Sequence, residues 1–74
     1  MSEAVLDCSG EKCPLPVLRT RKALKAMAPG DVLLVTCTDP MAQIDIPALL
    51  RQTGDVLEAS ETGPQRAAFR IRKG

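Results

Sequence analysis

The chain has 74 residues, a formal net charge of +1, no histidine, no tryptophan, no tyrosine and a single phenylalanine. Such a length allows one domain, residues 1–74, with a core of aliphatic residues and no room for a deep enclosed substrate pocket. The near-neutral charge gives no global case for nucleic-acid or membrane binding, and no stretch has the apolar length of a membrane span.

In chain order, Ala4 to Asp7 reads as a short strand, followed by the loop Ser9-Gly10-Glu11, where Gly10 permits backbone angles that other residues resist. Pro14 to Ala28 reads as a helix. Val17, Leu24, Met27 and Ala28 recur at helical spacing toward the core, and Pro29-Gly30 ends it. Val32 to Thr38 alternates as a strand with Leu33, Val35 and Cys37 on one face. Asp39-Pro40 is a second helix start. Pro47 then requires either an irregular first turn or a helix that begins near Asp45, and Gly54 closes it. Val56 to Glu61 and Arg66 to Arg72 pair as a hairpin across Thr62-Gly63-Pro64-Gln65, with Ala67, Phe69 and Ile71 inward and Arg66, Arg70 and Arg72 outward. The order βαβαββ predicts an α/β (α+β) two-layer sandwich: one four-stranded mixed sheet with two helices on one face. Strand order is left open.

Three cysteines, none spaced as Cys-x-x-Cys, fit neither a disulfide framework nor a zinc site, and no cofactor motif is present. A reducing cytoplasm suits them, and Met1-Ser2-Glu3-Ala4 has no signal-peptide character. Cys37 reads as a buried strand residue. Cys13 does not. It precedes Pro14, at a helix start, and the residue before proline is pushed out of the α region into the extended conformation of a cap. There a sulfur anion faces the positive end of the helix dipole, a gain of roughly 0.3–1 kcal/mol. With Lys12 adjacent, this moves the thiol from about 8.5 toward neutrality, where thiolate exchange is fastest. Without histidine, Cys–His hydrolytic chemistry is excluded. Pro14 and Pro16 remove backbone donors and leave the Leu15 N–H as the nearest donor to the sulfur. With Val17 and Leu24 toward the sheet, Leu15, Leu18, Arg19 and Lys22 point outward, next to Lys12. They form a docking patch for a protein partner unless the second helix covers Leu18.

The pattern Asp7-x-x-Gly10-x-x-Cys13-Pro14-x-Pro16 resembles the signature of the TusA/SirA-like sulfur-carrier (sulfurtransferase) family. The likeness continues through Pro29-Gly30, Asp39-Pro40, Asp45-Ile46-Pro47 and Ile71-Arg72-Lys73-Gly74. The resemblance implies a cytoplasmic persulfide relay with Cys13 as the sulfur-bearing, catalytic residue. It implies a cysteine desulfurase or rhodanese-type donor, and an acceptor protein leading to tRNA thiolation, molybdenum-cofactor assembly or sulfur oxidation. Asp7, Gly10, Pro14 and Pro16 are supporting positions. Cys8 stands where an aliphatic residue is usual, and as a second thiol on the same loop it is a candidate resolving thiol for Cys13. Two other readings remain: a regulatory or interaction module acting through the basic helix face, or a redox-responsive protein using Cys8 and Cys13. Direct nucleic-acid binding by Arg70 and Arg72 is disfavoured by the lack of stacking aromatics.

Overall fold

The two inner strands of the sheet carry the alternating sequences of the chain, because only they are paired on both sides. The computed structural model describes residues 3–12 and 15–74. Its elements are β1 (Glu3–Cys8), α1 (Leu15–Lys25), β2 (Val32–Cys37), α2 (Ala42–Thr53), β3 (Val56–Thr62) and β4 (Ala67–Arg72). The sheet order is β1-β2-β4-β3, with β1 and β2 parallel and the other two pairings antiparallel. This is the predicted fold, and it supplies the strand order that the sequence left open.

In the β2–β4 register, Leu33 pairs with Ile71, Val35 with Phe69 and Cys37 with Ala67. Directly paired residues point to the same side of a sheet, so these six form one apolar surface, and all are buried. Leu24 of α1 and Ala42, Ile46 and Leu50 of α2 join the same core, which puts both helices on that face. Each fully buried leucine or isoleucine stabilises the fold by about 1.5–3 kcal/mol relative to exposure. Phe69, the one aromatic residue, is at the centre of this surface, as expected.

The helices deviate from the expected boundaries for local reasons. Helix α1 buries Pro16, Thr20 and Leu24, four residues apart, with Val17 and Met27 half-buried beside them and Ala28 exposed. It ends at Lys25 rather than Ala28. The N–H groups of Ala26 and Met27 bond three residues back, to Ala23 and Leu24, which tightens the chain before Pro29. Helix α2 takes the irregular-first-turn solution. The N–H groups of Ala42, Gln43 and Ile44 also reach only three residues back, so Pro47 sits inside the helix just beyond a turn that is not yet α-helical. Gly54 ends it in the left-handed conformation, φ 82°, with its N–H on the Leu50 carbonyl at 2.9 Å.

The opposite face of the sheet is open, and its arginines are paired with acids. Arg70 contacts Glu3 at 3.4 Å and Glu58 at 3.3 Å, and Arg72 contacts Glu58 at 3.6 Å. A register shift between Leu57 and Ala59 brings Glu58 over them. Such exposed pairs are worth about 0–1 kcal/mol each. Their consequence is that Arg70 and Arg72 present no unopposed positive strip to a phosphate backbone. Among the described residues no helix is long and apolar enough to cross a membrane.

Candidate functional site

Parallel pairing of β1 and β2 sends both strands to the same rim, so the β1–α1 and β2–α2 connections leave side by side. The first begins at Asp7. Its Oδ1 accepts the Ser9 N–H at 2.9 Å and the Thr36 hydroxyl from the neighbouring strand at 3.3 Å. Hydrogen bonding from Ser9 is the main reason its carboxyl lies below the ordinary 3.8, with Thr36 and the charge of Arg66 adding to it. Gly10 then adopts φ 81°, a left-handed conformation that costs other residues energy, and donates its N–H to Thr38 Oγ1 on the second connection at 2.8 Å. The Glu11 N–H returns to the Cys8 carbonyl at 3.1 Å. Asp7 and Gly10 thereby tie the start of the β1–α1 connection to β2 and to the second connection.

Cys13 and Pro14 themselves lie outside the described residues, and the expectations for them carry over as proposals. Immediately after them, the Leu15 N–H donates to the Lys12 carbonyl at 2.9 Å. The expectation that the Leu15 N–H is the donor nearest the sulfur involves Cys13 and so falls outside the described residues; that N–H is engaged by the Lys12 carbonyl. Pro16 is buried in the second position of α1, where its ring packs into the core and it lacks only an N–H that a helix start leaves unpaired.

The outward residues of α1 divide. Leu15 and Leu18 are half exposed, at 50% and 51%, and Lys12 and Lys22 are exposed. Helix α2 does not cover Leu18. It leaves a groove of about 270 Å³ between the helices, lined by Leu18, Arg21, Asp45 and Leu49 among others. Arg19, expected on the partner face, turns to the loop instead, where its guanidinium donates to the Asp7 carbonyl at 3.3 Å and pairs with the Glu11 carboxylate. The cause is proximity: one α-helical turn after Leu15 carries the long side chain back over the loop. Glu11 was not singled out by the sequence, since its partner lies across the unpatterned loop. Met41 and Ile44 were also missed. They are exposed at the start of α2, on the same rim as Leu15, and their three-residue spacing becomes a signal only once α2 is known to start at Ala42.

Cys8 is not on the loop. It is the last residue of β1, fully buried, and its register partner is Cys37. Burial pushes the Cys8 thiol up, against a lowering by the Arg19 charge, and pushes Cys37 up to about 12. Cys37 is thus the buried strand cysteine expected. Cys8, expected as a second thiol on the same loop as Cys13, instead faces the core, where burial raises its pKa. Among the described residues no cluster of three or more ligating side chains could hold a metal ion.

The Sulfurtransferase TusA family model matches residues 4–73 of the chain. Two Neisseria meningitidis proteins, from serogroups A and B, both provisionally designated sulfur carriers, are each 55% identical over 62 residues, covering 82% of this chain and 84% of theirs. The sulfur carrier protein TusA of Allochromatium vinosum is 46% identical over 68 residues, covering 92% of this chain and 90% of the relative. The crystal structure of a SirA-like protein from Desulfitobacterium hafniense superposes with a TM-score of 0.78 at 24% identity, over 96% of this chain and 97% of that one. That last likeness concerns the fold.

Proposed function

For a chain that belongs to the TusA sulfurtransferase family, and hence to proteins that carry sulfur, we propose that Cys13 is the carrying residue and that the carried form is a persulfide. The Cys13 thiolate attacks the outer sulfur of a donor persulfide. The donor S–S bond breaks, the donor cysteine leaves as a thiolate, and Cys13 holds the sulfur as Cys–S–SH. An acceptor thiolate then attacks that outer sulfur and Cys13 is regenerated. No net oxidation occurs, so the relay requires neither a cofactor nor a base such as histidine.

The observation that carries this reading is the hydrogen-bonded frame upstream of Cys13: Asp7 holding Ser9 and Thr36, and Gly10 tied to Thr38. It fixes a loop directly before α1, where a thiolate gains from the helix dipole. The donor is a cysteine desulfurase or rhodanese-type protein and the acceptor a second protein, both in the cytoplasm. Acceptors of the thiouridine, molybdenum-cofactor and sulfur-oxidation routes are the candidate classes. Leu15 and Leu18, with Met41 and Ile44 across the rim and Lys12 and Lys22 at its edge, form the surface on which such partners dock. The test is mass spectrometry after incubation with cysteine and a desulfurase. The protein should gain one sulfur atom on Cys13 and Cys13→Ser none; a persulfide on the variant would overturn the assignment.

A further inference from the structure

The cysteine pair beneath the rim takes no part in the proposed relay. Cys8 and Cys37 are direct register partners on adjacent parallel strands, so both side chains leave the sheet on the same side. Neighbouring strands lie about 4.8 Å apart, and disulfides span Cα separations of about 4.4–6.8 Å. Both residues have 0% exposure and both are free thiols. Two thiols on paired residues of adjacent strands, enclosed by the core and placed at bridging separation, form a reactive unit that neither would form alone.

We propose that Cys8 and Cys37 are a dithiol modification site that a two-electron oxidant of the hydrogen peroxide class converts to an intramolecular disulfide. The Cys8 sulfur, which has the Arg19 charge nearby, attacks the peroxide. The O–O bond breaks, one water leaves and Cys8 becomes a sulfenic acid. Cys37 then attacks that sulfur, the S–O bond breaks, and the oxygen departs as a second water with the Cys37 proton. The two sulfurs together lose two electrons and the peroxide gains them. Because both thiols are buried and held protonated, the reaction is slow and waits on local opening of the end of β1. Once formed, the bond closes a loop of about 30 residues and thereby restricts the unfolded chain. It also joins the strand ends from which the β1–α1 and β2–α2 connections leave. Cys8 thus has a redox partner in Cys37, and the site does not depend on the persulfide reading of Cys13.

The experiment uses the full chain carrying Cys13→Ser, so that Cys8 and Cys37 are the only thiols. The protein is exposed to hydrogen peroxide, quenched, denatured and alkylated. The expected product is a monomer lighter by two hydrogen atoms, with no alkylation at either cysteine, a linked peptide pair containing positions 8 and 37, and a higher melting temperature that dithiothreitol reverses. Adding Cys37→Ala should abolish the linked pair and leave Cys8 alkylatable or oxidised singly. Three results each overturn the proposal: both cysteines still alkylatable after prolonged exposure, sulfinic acid in place of the link, or disulfide-bonded dimers.

Discussion

The two connections that leave the rim begin with the same device and end differently. Asp7 accepts the N–H two residues ahead, from Ser9, at 2.9 Å; Asp39 accepts the N–H two residues ahead, from Met41, at 3.0 Å. Both are Asx turns that bend the chain off a strand end. After Asp39 the chain goes straight into α2, through Pro40 and bonds to residues three back. After Asp7 it detours through the left-handed Gly10, a tie to Thr38, and a clamp between Arg19 and Glu11 before it reaches Cys13. The shorter connection braces the longer one through Thr38, which under the proposed function presents Cys13. A bend alone starts α2, whereas the loop before α1 has additional fixed points, one of them drawn from the neighbouring connection.

The comparison is open to attack, most forcefully at Gly10. A Cβ there meets nothing within 4 Å, so Gly10→Ala pays only for its left-handed backbone, about 1–2 kcal/mol. Its urea midpoint should drop and sulfur loading of Cys13 should slow by an order of magnitude or so. Pro40→Ala, on the bracing connection, should cost under about 1 kcal/mol and leave loading intact. Equal losses for the two variants would erase the distinction. The next effect concerns docking. Leu18→Asp and Ile44→Asp, one on each helix of the rim, should each lower sulfur transfer from the donor several-fold while the melting temperature stays within a few degrees; a collapse of either fold would place that residue in the core. The smallest effect is the titration of Asp7. Its folded carboxyl titrates below 3.8, so its contribution is complete above that pH and is lost as pH falls through the lower folded value. Asp7→Asn, which keeps an acceptor oxygen but cannot ionise, should show a flatter decline in stability as pH falls below 3.8. An unchanged acid slope in urea titrations would show that the carboxylate charge is not what holds Ser9.

Much of the fold was legible in the alternation of Leu33, Val35 and Cys37 and of Ala67, Phe69 and Ile71, because inner strands leave no freedom about which face is buried. Strand order was not legible: which strand β4 joins is decided by the packing of the helices. The orientation of Cys8 turned on one residue. A strand ending at Asp7 puts Cys8 on the loop, whereas a strand ending at Cys8 continues the alternation from Leu6 into the core. At the site, Asp7, Gly10 and Pro16 could be named because their backbone demands show in the sequence. The Arg19–Glu11 pair could not, since it joins a helix to an irregular loop with no periodicity to reveal it. The Leu15 N–H bond to the Lys12 carbonyl was likewise not legible, because proline shows which donors are missing and says nothing of where the remaining ones point.

The position of β4 has a consequence for the order of assembly. It follows all other elements in the chain and yet lies between β2 and β3. During synthesis β1, α1, β2 and α2 emerge with no strand to complete the sheet, and the β2 residues destined for the core wait for Ala67, Phe69 and Ile71. Pairings so distant in sequence form late. The loop before α1 is thus made long before the sheet that anchors it, so a nascent chain should complete that anchoring in one step, when the fourth strand is threaded into place.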